Sequence, residues 1–446
     1  MLIKKHIYRL ISKARGMDFT KEYHRIKSIT DKKSLLRFQE EQLKYLILHA
    51  DKNVPYYHRV FKEIGILNNG VDLSKFDKIP IFTKEIMAKY HKNLISKDCK
   101  SRRWCFNSSG GSTGEPTRFI QDDCYSKWAN ATQQYYYQDL LGIDERNVKK
   151  IILWGSERDV FKGSVGLKAK VGYWLTNTIP LNSFRMTEED MKNYIKIINS
   201  FKPDLIRGYA GSLYELCRYA EKKKLTVFAP KILISAAETL RDEMREKIES
   251  VFGTKLYDFY GSREAASIAA ECKNGLMHVF MFNNYVEILD GHNQPVQEGK
   301  EGRVIVTNLH NYSMPFIRYE IGDMAVLGPE KCACGNMLPT LKKATGRITD
   351  HFVKEDGTII HGEFFTHLFY LKDWVKAFQI IQEDYNKIRI LVVQVGEAAD
   401  ENQKKDIENK IRVVMGENCK IHWEFVEDIP GTKSGKYLYT KSLVWT

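Results

Sequence analysis

The spacing of apolar and polar positions changes character several times along this chain. From 35 to 65 the apolar residues read as helical, with Tyr45, Leu46 and Leu48 leading into "NVPYYHRVF". "KKIILWG" (149–155) reads as a buried strand ending on glycine. From Thr187 to Ser200, Met191, Tyr194, Ile195, Ile197 and Ile198 fall on one side of a predicted helix. "SLYELCRYAEKKK" predicts a second helix, after an expected turn at Gly208–Gly211. "RDEMREKIESVFG" predicts a third, closed by Gly253. "TKLYDFYG" is a further apolar strand that runs into a glycine turn.

From 284 to 327 the period becomes β-like, in "NYVEIL", "GRVIVTNL" and "DMAVLG". Strands alternating with helices up to residue 280 or so predict an α/β sheet, followed by a β-rich piece. Beyond Asp350 the strands "KAFQIIQED", "KIRILVVQVG" and "KIHWEFVED" surround the helix "DENQKKDIENKIRVVMG". They predict a small α+β unit, with a hinge in "TGRITDHF" and an exposed loop, "GTKSGKY", near the end. The expected division is therefore 1–346 and 347–446.

Composition narrows the function classes. With 446 residues, 43% of them hydrophobic, the chain can bury a large core, so disorder is not expected. A formal net charge of +13 favours an anionic partner, although a basic solvated surface would serve equally well. Lys and Arg are spread rather than blocked, and no nucleic-acid motif accompanies them, so a nucleic-acid partner is not expected.

The opening "MLIKKHIYRLISKARG" has too short an apolar run for a secretory signal, and no stretch is long enough for a membrane span. It fits a short basic amphipathic helix that packs on the domain, a peripheral membrane contact being the other option. The expected compartment is the cytoplasm, where the eight cysteines would be thiols or metal ligands.

The loops carry the chemistry. "SSGGSTGEP" (108–116) is rich in the residues that let backbone N–H groups and hydroxyls converge on phosphate oxygens. It lacks the G-K-[ST] ending of a nucleotide-triphosphatase loop, so by itself it reads as a plain turn. "YDFYGSREAA" (257–266) places Glu264 after a glycine turn, where a carboxylate can hold Mg²⁺ against phosphates. In "IRYEIGDMA" (317–325), Asp323 follows another turn and could accept hydrogen bonds from ribose hydroxyls. "TGRITD" offers Arg347, and "GTKSGKY" offers Lys433 and Lys436. Singly, each is more simply a surface or turn residue.

Taken in order, these five segments resemble the adenylate-forming enzymes, which include acyl-CoA ligases and peptide-synthetase adenylation domains. "VPYYHRVFKEIGI", "KIPIFTKEIM", "SAAETLRDEMREKIESVFG" and "ECKNGLMH" are similar to the phenylacetate–CoA ligase branch. "ILWGSERD" is similar to its capsular-polysaccharide-biosynthesis members.

The resemblance implies a large, multi-layer α/β adenylation domain with a β-rich subdomain. A small mobile α+β C-terminal domain would swivel near Asp350. It also implies ATP-dependent activation of a small carboxylic acid to an acyl- or aryl-adenylate, with release of pyrophosphate. The acyl group would then pass to CoA or another nucleophile, in a route to cell-surface polysaccharide.

By the same resemblance, Ser108, Ser109, Gly110, Gly111, Ser112, Thr113 and Gly114 wrap the β- and γ-phosphates. Ala236, Ala237 and Glu238 lie along the adenine, and Tyr260, Gly261 and Ser262 flank adenine and α-phosphate. Glu264 binds Mg²⁺, Asp323 holds the ribose, and Arg347 contacts ribose or phosphate. Lys436 bridges the acid and the α-phosphate, with Lys433 second in line. After "GRITD" the chain departs from the ligase branch, reading "HFVKEDGTIIHGEFF". That places the thiol acceptor in more doubt than the adenylation. A non-catalytic nucleotide-binding protein of the same fold is the alternative, and the presence of both Glu264 and Lys436 weighs against it.

Two further sets stand apart. In "FKPDLIRGYAGSLYELC", Arg207 and Tyr209 are candidates to contact a polar or aromatic acid, although the plainer reading makes Arg207 a surface residue and Tyr209 core. Cys272 and His278, with Cys332 and Cys334 in "CACG", offer soft donors on turns that suit a tetrahedral structural zinc. Their spacing is not a standard finger, and chance proximity of thiols is the plainer account, but the resemblance to the branch, some of whose members carry a similar set, implies a structural zinc here.

Overall fold

The computed structural model describes residues 11, 13, 16–108, 118–155, 167–345, 348–349, 352–356, 358–360, 362–369, 372, 374–394, 401–429 and 438–444. Its centre is an eleven-stranded sheet. At one end the strands Leu256–Ser262, Ile232–Ala236, Leu205–Tyr209, Lys150–Trp154 and Thr178–Asn182 run parallel, in that spatial order. At the other end every neighbour is antiparallel, through Ala266–Glu271, Met277–Val279, Thr340–Thr345, Tyr319–Leu327, Glu301–Asn308 and Asn284–Leu289. The change from α/β alternation to β-like period corresponds to this change from parallel to antiparallel pairing.

Parallel strands need crossovers, and the predicted helices supply them. Glu188–Phe201 is capped by Thr187, whose side chain accepts from the Asp190 N–H. With Ala210–Lys222 and Asp242–Phe252 it packs on one face of the sheet, around Ile206, Leu213, Leu233 and Ile248. On the other face lies Asp123–Tyr135, with Trp128, Tyr136 and Tyr137 against Ile234 and Phe259.

The helical stretch at 35–65 is two helices, Lys32–Asn53 and Pro55–Ile64. Proline suits a first turn and not a helix interior, so the break falls at Pro55. Gly208 does not begin a turn either. It lies in the strand Leu205–Tyr209, where a Cβ would meet the Leu153 Cβ at 3.0 Å and the Leu153 carbonyl at 3.2 Å.

The C-terminal part builds a second, five-stranded sheet in the order Ile348–Thr349, Leu438–Ser442, Val375–Asp384, Lys387–Gln394, Lys420–Phe425. The helix Glu401–Met415 covers it with Ile407, Ile411 and Val414. A three-stranded sheet joins this part to the large one. Phe352–Val353 pairs with Ile359–Ile360, which pairs with Arg185–Met186. Phe184 and Tyr209 share a buried cluster with Phe352, Ile360, Phe364 and Phe365.

The basic N-terminal segment falls largely outside the described residues. No described helix is long and apolar enough to cross a membrane.

Candidate active site

Ligands of open α/β sheets sit beyond the carboxyl ends of the parallel strands. Here those ends open into a cavity of about 440 Å³. Its lining includes Ala236, Ala237, Glu238, Tyr260, Gly261, Ser262, Glu264 and Asp323. All eight were expected from the sequence to surround a nucleotide.

Each is held for a local reason. Ala237 turns out of its strand at φ +67°, a conformation that costs a non-glycine residue about 1 kcal/mol. Glu238 then reaches the start of the helix Ala210–Lys222, its Oε2 accepting from the Gly211 N–H at 2.8 Å. At Gly261 a Cβ would lie 2.4 Å from the Ala266 carbonyl oxygen, so only glycine lets the two strands close there. Tyr260 donates its hydroxyl to Asp323 Oδ2 at 2.9 Å, linking the parallel half of the sheet to the antiparallel half. Glu264 is 4% exposed and accepts from the Tyr319 hydroxyl at 3.3 Å. As a hard oxygen donor on the cavity wall it fits a magnesium ligand.

Ser108 ends the strand Trp104–Ser108, paired with Arg118 on the returning strand Arg118–Asp122. The two strands carry the predicted phosphate loop between them. Gln121 and Tyr125, at the start of the next helix, both donate to the Arg263 carbonyl and so fix this hairpin against the Glu264 turn. Ser109 to Gly114, Arg347, Lys433 and Lys436 lie outside the described residues.

The cavity has a second end. Trp154, Arg207, Phe259, Ala129, Asn130 and Gln133 line it. Arg207 is therefore not on the surface, as its plainer reading had it. Its guanidinium lies 4.6 Å from the Phe259 ring centroid and 5.7 Å from that of Trp154. Tyr209 is buried, and its ring stacks on Trp154 at 4.3 Å. Trp154, Asn130 and Gln133 carried no sequence signal, because a helix and a strand bring them together only by packing.

Asp258 also lines this cavity and accepts from Ser235 Oγ at 2.9 Å. Burial, reinforced by the neighbouring Glu271, pushes its carboxyl up to about 7. Such a group holds a proton in the folded chain that the unfolded chain has already released. Stability therefore falls as pH rises from about 4, the ordinary carboxylate value, toward neutrality. Asp258→Asn is expected to make the melting temperature less dependent on pH across that window. Buried Glu215, also pushed up to about 7 by desolvation, should leave part of the slope in place. An unchanged slope in the variant would assign the effect elsewhere.

Away from the cavity, Cys272, His278, Cys332 and Cys334 bring their ligand atoms within 4.8 Å of one another. Cys272 and Cys332 are 3.6 Å apart at sulfur, and Cys334 Sγ is 3.2 Å from His278 Nε2. A sulfur separation of 3.6 Å is far too long for a disulfide but suits an edge of a tetrahedron with bonds of about 2.3 Å.

The surroundings also fit a cation. His278 Nδ1 faces the Leu338 carbonyl at 3.1 Å, which leaves Nε2 as the ligating atom. Backbone N–H groups of Asn274, Cys334 and Asn336 point at the three sulfurs. The two cysteine turns close at Gly275 and Gly335, with φ +84° and +76°.

Among solved structures, 2-hydroxyisobutyryl-CoA ligase in complex with 2-HIB-AMP and CoA matches with a TM-score of 0.58. The match has 19% identity and covers 93% of this chain and 90% of that one. The chain has the fold of the adenylate-forming enzymes. Protein CapK of Staphylococcus aureus is 26% identical over 434 residues, 94% of this chain and 92% of CapK. The phenylacetate–coenzyme A ligase of Pseudomonas putida is 23% identical over 413 residues, 87% and 90% of the two chains. Residues 352–442 match the CapK C-terminal domain. That match covers the stretch after "GRITD" where the sequence was expected to depart from the phenylacetate–CoA ligase branch.

Proposed function

We propose that this protein is an AMP-forming acid–thiol ligase. A carboxylate oxygen attacks the α-phosphorus of ATP, the bond to the bridging oxygen breaks, and pyrophosphate leaves. A nucleophile then attacks the acyl carbon and AMP departs. CoA is the first acceptor to consider, since the phenylacetate–coenzyme A ligases and 2-hydroxyisobutyryl-CoA ligase among its relatives and structural neighbours use it. The observation that carries the reading is one cavity that gathers eight expected residues from three separate segments, 236–238, 260–264 and 323.

In this reading Asp323 and Tyr260 hold the nucleoside, and Glu264 holds Mg²⁺ on the phosphates. The 108–116 loop covers the phosphates that leave, and Arg347 and Lys436 approach from the C-terminal part. Two anions must meet in the first step, so positioning and charge neutralisation supply most of the acceleration. Residues 347–446 form the smaller domain, which changes position between the two half-reactions. The four cysteine and histidine ligands hold a structural zinc. The likeness to CapK motivates a place in cell-surface polysaccharide synthesis, and the use of ATP fits a cytoplasmic location.

The test is pyrophosphate exchange into ATP with a panel of carboxylic acids, followed by an acceptor panel that includes CoA. At least one acid should support exchange. Lys436→Ala should lower it by about a hundredfold or more, the scale of losing one transition-state donor. If no acid in a broad panel supports exchange while nucleotide still binds, the protein is a nucleotide-binding member of the fold without turnover.

A further inference from the structure

Arg207 is a cation in the wall of the cavity with little to neutralise it. It is half-buried, and among the described residues no carboxylate forms an ion pair with it. Among the described residues its one side-chain hydrogen bond goes from Nη1 to the Tyr137 hydroxyl, at a long 3.4 Å. Its Nε is buried without a partner. A guanidinium left this way is costly, and the rings of Phe259 and Trp154 offset only part of that cost. Its planar fork is suited to a carboxylate, which it can hold by two parallel hydrogen bonds.

The position of Arg207 says which carboxylate. Tyr209, Ala236 and Tyr260 stand at or near the strand ends, where the nucleotide residues gather. Arg207 lies on the strand Leu205–Tyr209, two strands and about 10 Å across the sheet from Leu256–Ser262, which carries Tyr260, and its guanidinium also rests on Trp154 of the next strand outward. That separation matches a short carbon chain or one aromatic ring. The lining around Arg207 is mostly apolar or neutral, from Phe259, Trp154, Ala129 and Gln133, with the buried carboxyl of Asp258 the exception.

We propose, resting on the ligase reading above, that the acid activated here is a dicarboxylic acid. One carboxylate reacts at the nucleotide, while the second is held by Arg207 at the far end of the cavity.

The experiment uses the full chain and aliphatic and aromatic diacids, each paired with its own monoamide. The two members of a pair have the same shape and the same reacting carboxylate, and differ only in the distal charge. Pyrophosphate exchange should favour the best diacid over its monoamide by about thirtyfold or more in kcat/KM, the scale of a charged hydrogen bond. Arg207→Met should erase that preference, the diacid losing far more than its monoamide, and Arg207→Lys should retain part of the preference.

A parent enzyme indifferent to the distal charge overturns the proposal. So does Arg207→Met lowering both members of a pair alike, because that is the signature of a merely structural residue or of one that holds the reacting carboxylate. If no acid supports exchange, the ligase reading fails. Thermal stabilisation by the diacid over its monoamide, in the presence of AMP, then decides the Arg207 site by itself: its presence in the parent and loss in Arg207→Met support it, and its absence overturns it.

Discussion

Glu264→Gln is expected to lower acid-dependent pyrophosphate exchange by about a hundredfold at a fixed, low magnesium concentration, with part of the loss recovered as magnesium is raised. The substitution preserves shape. Glutamine can still accept the Tyr319 hydroxyl that now lies 3.3 Å from Glu264 Oε1. What it removes is a negative charge on the cavity wall, at a side chain only 4% exposed. A neutral amide oxygen is a weaker ligand for a hard divalent cation, so the metal should bind less tightly and neutralise the phosphates less completely. The melting temperature should barely move. Magnesium titrations of the parent and the variant separate the two roles open to Glu264. If exchange and its magnesium dependence are both unchanged, the carboxylate serves only as the partner of Tyr319.

The second large effect concerns the cysteine and histidine cluster. Purified protein never exposed to chelator should carry about one zinc per chain, and less than about a tenth of an equivalent would sink the assignment. Cys332→Ser is expected to abolish that metal and to lower the melting temperature by about 10 °C, since binding to a preformed site is folding free energy. The physical reason is local. Cys272 follows the strand Ala266–Glu271, His278 lies in Met277–Val279, and the turn with Cys332 and Cys334 precedes Thr340–Thr345. These three strands are neighbours in the large sheet, and the metal would tie their ends together. None of the four ligands lines the cavity, so residual exchange activity at low temperature should be close to that of the parent.

Much of the lining of the candidate site was legible because short glycine-bearing strings are recognisable wherever they fall. Gly261 precedes Glu264 at a strand end, whereas Gly322 and Asp323 lie within the strand Tyr319–Leu327 and not at the turn expected there. The strand and helix periods were legible for the same reason, since a two-residue or 3.6-residue repeat is a local property. Arg207 is not legible as a cavity residue because Tyr137, to which it donates, and Ala129, Asn130 and Gln133, which line the same cavity, lie seventy or more residues away. Gly208 was misread because glycine usually marks a turn, whereas here it makes room for Leu153 of a neighbouring strand. The pairing of Arg185–Met186 with Ile359–Ile360 had no signal at all. A two-residue strand has no period to detect, and its partner lies far along the chain.

That short ladder has a consequence for how such proteins diversify. The seam between the two parts combines main-chain hydrogen bonds with a greasy cluster around Phe184 and Phe364. Main-chain pairing does not depend on which side chains the strands carry, and oily contacts tolerate exchange among similar shapes. A lineage can therefore rewrite the lining of the cavity around Arg207 while this pairing between the two parts is kept.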